Sequence, residues 1–316
     1  MKTIPATVRA ALAAALSVGL ILTGTAVSGA APPENGPGVE ERGAGRGVPD
    51  SQISIQLYTF AEYIGFGSDE ATLDRLRFVL SELAEIGYRN VEPFTFNGLT
   101  AERFDALLDG YGLRATSRHG DTNEATWDAE LANSRTLGQK FVGSGGSAAP
   151  GLWSYEDTLA TAATLDRLGS RSVRNGTGKI FVHNHQNEFT TTFTDPTTGR
   201  AISAWELLLL NTDHRYVTFQ LDVGWAVAAG VDVPRLLEKY GDRIDLLHVK
   251  DGTEVDGEFV QAPLGAGEVD LRPILAAAKG KVRYYVFEQD PIFFGEVDTM
   301  LDEARTSFRY LDRVTY

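Results

Sequence analysis

Glu188, Asp222, His248 and Glu288 each stand at or just past the end of a short apolar run of β character in the C-terminal half of the chain. The runs read KIFVHNHQNEF (179–189), YVTFQLDVGW (216–225), RIDLLHVKD (243–251) and RYYVFEQD (283–290), and a helix-like stretch separates each from the next. Repeated strand–helix units with polar residues at the strand ends describe a (β/α)8 TIM barrel, whose active site is built where the strands finish. Three carboxylates and one imidazole converging there would hold one divalent cation. Such a donor set suits harder cations than a thiolate or all-histidine site does, with zinc left open. The alternative is that these acids are solvated surface groups. The flanking IFV, FQL, LL and YVF argue against it, because strands of that composition are buried on both faces.

Eight units are needed to carry such a site, and the chain supplies them. Strand and helix are expected at 53–60 and 69–86, 90–94 and 100–110, 113–118 and 126–137, and 140–144 and 155–174. The second half gives 179–185 and 201–211, 216–222 and 231–240, 243–250 and 270–279, and 283–288 and 295–312. In the first helix Leu73, Leu76, Leu80 and Leu83 fall at helical spacing and Gly87 follows as a stop signal. An open doubly wound sheet would also alternate strands and helices. Its G-x-G-x-x-G turn is absent after the first strand, and the polar residues are spread over most strand ends, not gathered at one crevice.

Residues 1–30 are read as a secretory signal: Lys2 and Arg9 precede an apolar run and a small-residue site ends at Ala30. The run from Ala10 to Leu22 is 13 residues, shorter than the ~20 that span a bilayer as a helix, so no stable membrane anchor is expected. Residues 31–50, rich in Gly, Pro and charge, are expected to be a disordered linker. The remaining 51–316 suits one barrel, for which about 250 residues is typical. The expected destination is extracellular.

The net charge of −14 becomes −16 once the two cations Lys2 and Arg9 leave with the signal. No Lys/Arg cluster lies near the proposed site, so nucleic acid is not an expected partner. With no cysteine, the chain has neither disulfides, nor thiolate metal sites, nor a thiol nucleophile. Nothing in the sequence fixes the oligomeric state.

Further polar residues cluster at strand ends. Of five histidines, His119, His183, His185 and His248 fall at the ends of strands three, five and seven. His183 and His185 alternate with Asn184 and so share one face. Both are candidates to touch substrate, and His185 competes with Glu188 for the metal. Glu92, in VEPF, is a candidate for a sugar hydroxyl or for orienting a ligand from behind, or it is an ion-pair partner of Arg118. Lys250 shares the face of His248 and can stabilise an enediolate or alkoxide oxygen, or else pair with Asp251 or Glu288. Trp225 and Tyr58 offer apolar faces for a sugar ring or for packing. The GSGG at 143–146 is either a phosphate cradle or a plain loop.

The segments HNHQNEF, LDVGW followed by AAGVD, DRIDLLHVKD, LGAGEVD and VFEQD, with SIQLYTF and YRNVEPF before them, resemble the xylose-isomerase-like barrel superfamily of sugar phosphate isomerases and epimerases. The resemblance runs from about Ile53 to the C-terminus. It implies that Glu188, Asp222, His248 and Glu288 bind one divalent metal, manganese, cobalt or magnesium before zinc, with Glu188 as the acid of the fifth strand. It also implies a small-molecule sugar or glycoside as substrate and proton abstraction next to a carbonyl. In the epimerase branch two acids, here Glu188 and Glu288, work on opposite faces of an enediolate. Lyases and hydrolases of 3-keto-glycosides begin with the same abstraction and then expel a β-substituent, with an acid such as His119 or His185. The implied activity is a metal-dependent isomerase or epimerase, with such a lyase as the alternative. A non-catalytic exported sugar binder and the endonuclease branch are further readings, the last disfavoured by the missing basic surface.

Overall fold

The computed structural model describes residues 47–290 and 296–316. The expected signal at 1–30, and the expected linker as far as residue 46, lie outside the described residues.

Eight parallel strands form one curled sheet: β1 Ile53–Gln56, β2 Asn90–Glu92, β3 Arg114–Ala115, β4 Phe141–Ser144, β5 Lys179–His183, β6 Val217–Asp222, β7 Ile244–Val249 and β8 Tyr284–Phe287. Their spatial order is β3-β2-β1-β8-β7-β6-β5-β4, which leaves β3 and β4 as the two ends. A parallel bridge from His119 to Gly143 joins these ends, with Gly120 N donating to Gly143 O at 2.7 Å. Gly143 has to be glycine here, since a Cβ would stand 2.5 Å from Phe181 O. The result is the expected TIM barrel.

A principal helix follows each strand: α1 Glu70–Ile86, α2 Ala101–Gly110, α3 Trp127–Thr136, α4 Tyr155–Asn175, α5 Ala204–Leu210, α6 Val233–Tyr240, α7 Leu271–Ala278 and α8 Val297–Arg313. In α1, Asp69 caps the first turn by accepting from Thr72 N at 2.9 Å. The same helix buries Leu73, Leu76, Val79, Leu80 and Leu83 on one face, and each such side chain contributes roughly 1.5–3 kcal/mol. Gly87 ends it at φ 126°, with Phe308 of α8 packed where a Cβ would be. No helix among the described residues is long and apolar enough to cross a membrane.

The sequence reading differs from the structure at several places. Val48 is buried in the core and its N–H donates to Leu311 O at 2.8 Å, so the packed body begins before residue 51. The strand expected to run to residue 60 ends at Gln56, because the Gln56 side chain accepts from Tyr58 N and turns Leu57–Phe60 into a 3-10 helix. The helix expected from 201 starts at Ala204, since Ala201–Ser203 pair antiparallel with Thr192–Thr194. A second hairpin, Asp251–Val255 with Glu258–Ala262, follows β7 and turns at Asp256–Gly257, both at positive φ.

Candidate metal centre

The register of the sheet sets the polar residues at one level. Gln56 is paired beside Glu92, His183 beside Gln220, and Asp222 beside His248. All six are buried, which places a layer of polar side chains across the barrel near the strand ends.

His248 is at its centre. Its Nδ1 lies 2.7 Å from Glu288 Oε2 and its Nε2 2.7 Å from Glu92 Oε1. A carboxylate on each ring nitrogen favours an imidazolium that donates twice. Burial opposes that charge, but Glu288 and Glu92 outweigh it and raise the pKa to about 10. Burial likewise works against ionised Glu92 and Glu288. His119 and His248 nevertheless hold Glu92 well below the usual carboxylate range, and His248 and Lys250 do the same for Glu288.

Lys250 is fully buried beneath the same carboxylates, with Nζ 3.0 Å from Asp222 Oδ2, 2.9 Å from Glu288 Oε2 and 2.7 Å from Asp290 Oδ2. Of the two ion-pair partners considered from sequence, Glu288 is found. Asp251 instead accepts backbone N–H groups from Gly252, Gly265, Gly267 and Val269, and so organises the LGAGEVD loop. Asp222 Oδ1 accepts from Trp225 N at 3.0 Å, while Oδ2 is in ionic contact with Lys250 without forming a hydrogen bond among the described residues. Burial raises the Asp222 pKa against the pull of Lys250.

Glu92 is held from all sides. It accepts from Gln56 Nε2 and Gln220 Nε2, each at 2.8 Å, and from Ser117 Oγ, besides His248. Arg118, its alternative partner from sequence, pairs with Glu130 and lies over the Phe96 ring. His119 stacks on His248 at 5.3 Å and places Nε2 2.7 Å from Gln220 Oε1 and 3.2 Å from Glu92 Oε1. Gly145 makes room for that ring: a Cβ there would meet His119 Nδ1 at 2.8 Å. Close approach therefore accounts for both Gly143 and Gly145 of the GSGG segment.

His183 donates from Nδ1 to Gln220 Oε1 at 2.9 Å, which leaves the Nε2 lone pair free. Burial, with His248 and His119 nearby, pushes its pKa well below the ordinary value, so it is a neutral imidazole suited to a metal. One ligand atom from each of His183, Asp222, His248 and Glu288 falls within 4.8 Å of the others. These donors fit a single divalent cation: two imidazoles, two carboxylates, and an Asp222 oxygen lacking a hydrogen bond. His183, Asp222, His248 and Glu288 would hold the ion, which would compete with Lys250 for the two carboxylates and with the proton for His248.

Glu188 lies apart from this group. Its carboxylate accepts from His185 N at 2.8 Å and lines a separate cavity of about 300 Å³ beside Trp153. His185 is exposed, because β5 ends at His183 and the strand alternation stops there. Its ring centroid is 6.4 Å from that of Trp225. Tyr58 is half-exposed and packs edge-on against Phe94. Lys250 Nζ lies over the Trp225 ring, 5.3 Å from its centroid. Gln56, Ser117, Gln220 and Asp290 were not singled out from sequence, yet each touches a charged residue of the centre.

No curated protein matches the sequence. Among solved structures, a sugar phosphate isomerase/epimerase from Parabacteroides distasonis ATCC 8503 aligns with TM-score 0.64 and 21% identity over 87% of this chain and 96% of its own. A D-allulose 3-epimerase from Methylomonas sp. aligns with TM-score 0.57 and 16% identity, over 84% of this chain and 98% of its own. The IOLI protein, solved with a bound zinc atom, gives 0.59 and 15% over 83% and 98%. At these identities the likeness is one of fold. The family model for the xylose isomerase-like TIM barrel matches residues 80–288, and the chain belongs to that family.

Proposed function

We propose that this protein is a divalent-metal-dependent enzyme that removes a proton next to the carbonyl of a sugar, with isomerisation or epimerisation as the outcome. The observation that carries this reading is the convergence of buried His183, Asp222, His248 and Glu288 at the strand ends. The chemistry such an ion supplies when bound is polarisation of a carbonyl, which lowers the pKa of the adjacent C–H. Manganese, cobalt and zinc suit two imidazoles with two carboxylates better than magnesium does, a shift from the oxygen-rich set expected from sequence. Glu288, at the end of β8 beside His248 and Lys250, is the carboxylate we assign to take the proton. Lys250, paired with Asp222, Glu288 and Asp290, holds these carboxylates in position.

One observation favours the second reading, a β-eliminating lyase or hydrolase of oxidised glycosides. Epimerisation by two acids needs a free carboxylate on the opposite face. Glu92 is fully engaged and Glu188 is bound to its own loop. Elimination needs a single base and an acid for the leaving group, and partly exposed His119 is the acid within the layer. The deciding experiment incubates the metal-loaded protein in D2O with free ketoses and, separately, with 3-keto-glycosides. Deuterium entering the recovered ketose supports the isomerase; release of the aglycone supports the lyase; neither, across both panels, contradicts proton abstraction. The N-terminal pattern of Lys2, Arg9 and the apolar run supports export, which N-terminal sequencing of protein from culture medium tests.

A further inference from the structure

A cavity of about 440 Å³, within the roughly 300–1,000 Å³ usual for ligand pockets, is lined by Trp225, the ring that also faces Lys250 Nζ at 5.3 Å. The short helix Val223–Ala228 after β6 forms one wall and the hairpin Asp251–Val255/Glu258–Ala262 the other. Two aromatic rings, Trp225 and Phe259, line it with centroids 6.1 Å apart. Phe259 is seated by two glycines: a Cβ on Gly224 would meet its ring at 3.0 Å, and one on Gly252 would meet it at 2.7 Å. The hairpin is latched to the catalytic layer as well, since Gln261 Nε2 donates to Asp290 Oδ2 at 2.8 Å and Asp290 N donates back to Gln261 Oε1 at 2.9 Å. Asp290 is the residue that holds Lys250.

The charged groups on the cavity wall are Glu254, Glu258 and Glu268, and no lysine or arginine lines it among the described residues. Lys250, whose Nζ lies over the Trp225 ring, already faces three carboxylates. A phosphorylated or carboxylated ligand would meet repulsion with no compensating donor. Aromatic faces with carboxylate acceptors suit an uncharged ring bearing hydroxyl groups, which stacks on carbon and donates at its rim.

We propose that this cavity is a second-ring subsite, so that the substrate is an uncharged glycoside or disaccharide and not a sugar phosphate. The inference rests on the metal centre being where the reacting ring binds, and it adds where the other ring goes. The hairpin, absent from the minimal strand–helix repeat, is then the element that sets substrate size.

The test is calorimetric titration of the full-length, metal-loaded protein with glucose, glucose 6-phosphate and a panel of neutral glucose disaccharides of different linkage. At least one disaccharide is expected to bind roughly tenfold more tightly than glucose, with no binding of glucose 6-phosphate. Ala228→Phe, which fills the cavity, is expected to abolish that preference and leave glucose affinity unchanged. Glu258→Lys, an exposed change with little reason to disturb folding, is expected to admit glucose 6-phosphate. Tighter binding of glucose 6-phosphate than of every disaccharide overturns the proposal. So does absence of any preference for a disaccharide, or a preference that survives Ala228→Phe. Metal content and proton exchange, measured on the same samples, separate this failure from failure of the catalytic reading.

Discussion

His248 and Glu92 share a 2.7 Å hydrogen bond across the barrel, although 156 residues separate them in the chain. This contact takes Nε2 of the imidazole and leaves Nδ1 facing Glu288 and, at 3.9 Å, Asp222. A metal-bound histidine is commonly oriented in this way, by a carboxylate on its other nitrogen. Glu92→Gln should therefore weaken metal affinity by about 10–100-fold. Competition with a fluorescent chelator measures it, and unchanged affinity would reduce Glu92 to a packing role.

The imidazolium of His248 gives a pH signature. Its pKa in the folded protein is about 10 against an ordinary 6.5, so its stabilising contribution is fully present below pH 6.5 and is lost as the pH rises through 10. Metal-free protein should accordingly lose melting temperature across that interval. Metal binding near neutral pH should release about one proton, because the ion takes the nitrogen the proton held. Calorimetry in buffers of different ionisation enthalpy counts it; zero release would place the ion elsewhere.

Lys250 should behave as a counter-ion in the metal-free state. Lys250→Met leaves Asp222, Glu288 and Asp290 without their common cation, a loss of about 3–5 kcal/mol when a buried pair is broken from one side. Added metal should restore much of this loss, while turnover stays low. Denaturant unfolding with and without metal checks the point, and equal destabilisation in both would assign Lys250 no electrostatic link to the ion.

Much of this was legible in the sequence. Runs such as IFV, FQL and YVF mark strands buried on both faces, and the polar residue closing each run marks the barrel mouth, so the eight units and Asp222, His248 and Glu288 could be read directly. His183 and Glu188 were harder to rank. Alternation treats His183 and His185 alike, but β5 stops at His183, and the next residues turn outward and carry Glu188 away from the layer. Gln220 is uncharged and carries no chemical signal of its own, although it sits two residues before Asp222 and so shares its face. The hairpin after β7 has its own signal in Asp256-Gly257, a turn pair flanked by β-type residues, but it breaks the strand–helix period that organises the rest of the chain.

Asp251 should govern the loop that follows the hairpin. Its two oxygens take four backbone N–H groups, so Asp251→Asn turns an amide donor toward at least one of them and should cost about 2 kcal/mol. Amide exchange at Gly265 and Gly267 should accelerate in the variant. Unchanged protection there would show that the loop is held by other contacts.

The most direct test of the metal centre is elemental analysis after dialysis of the full-length protein beside Asp222→Asn, Glu288→Gln and Glu188→Gln. About one equivalent of a divalent metal is expected in the wild type and in Glu188→Gln, with loss in the other two variants. Loss of metal in Glu188→Gln to the same degree, or no metal in the wild type with no thermal stabilisation on adding manganese, cobalt or zinc, would contradict the site built on His183, Asp222, His248 and Glu288.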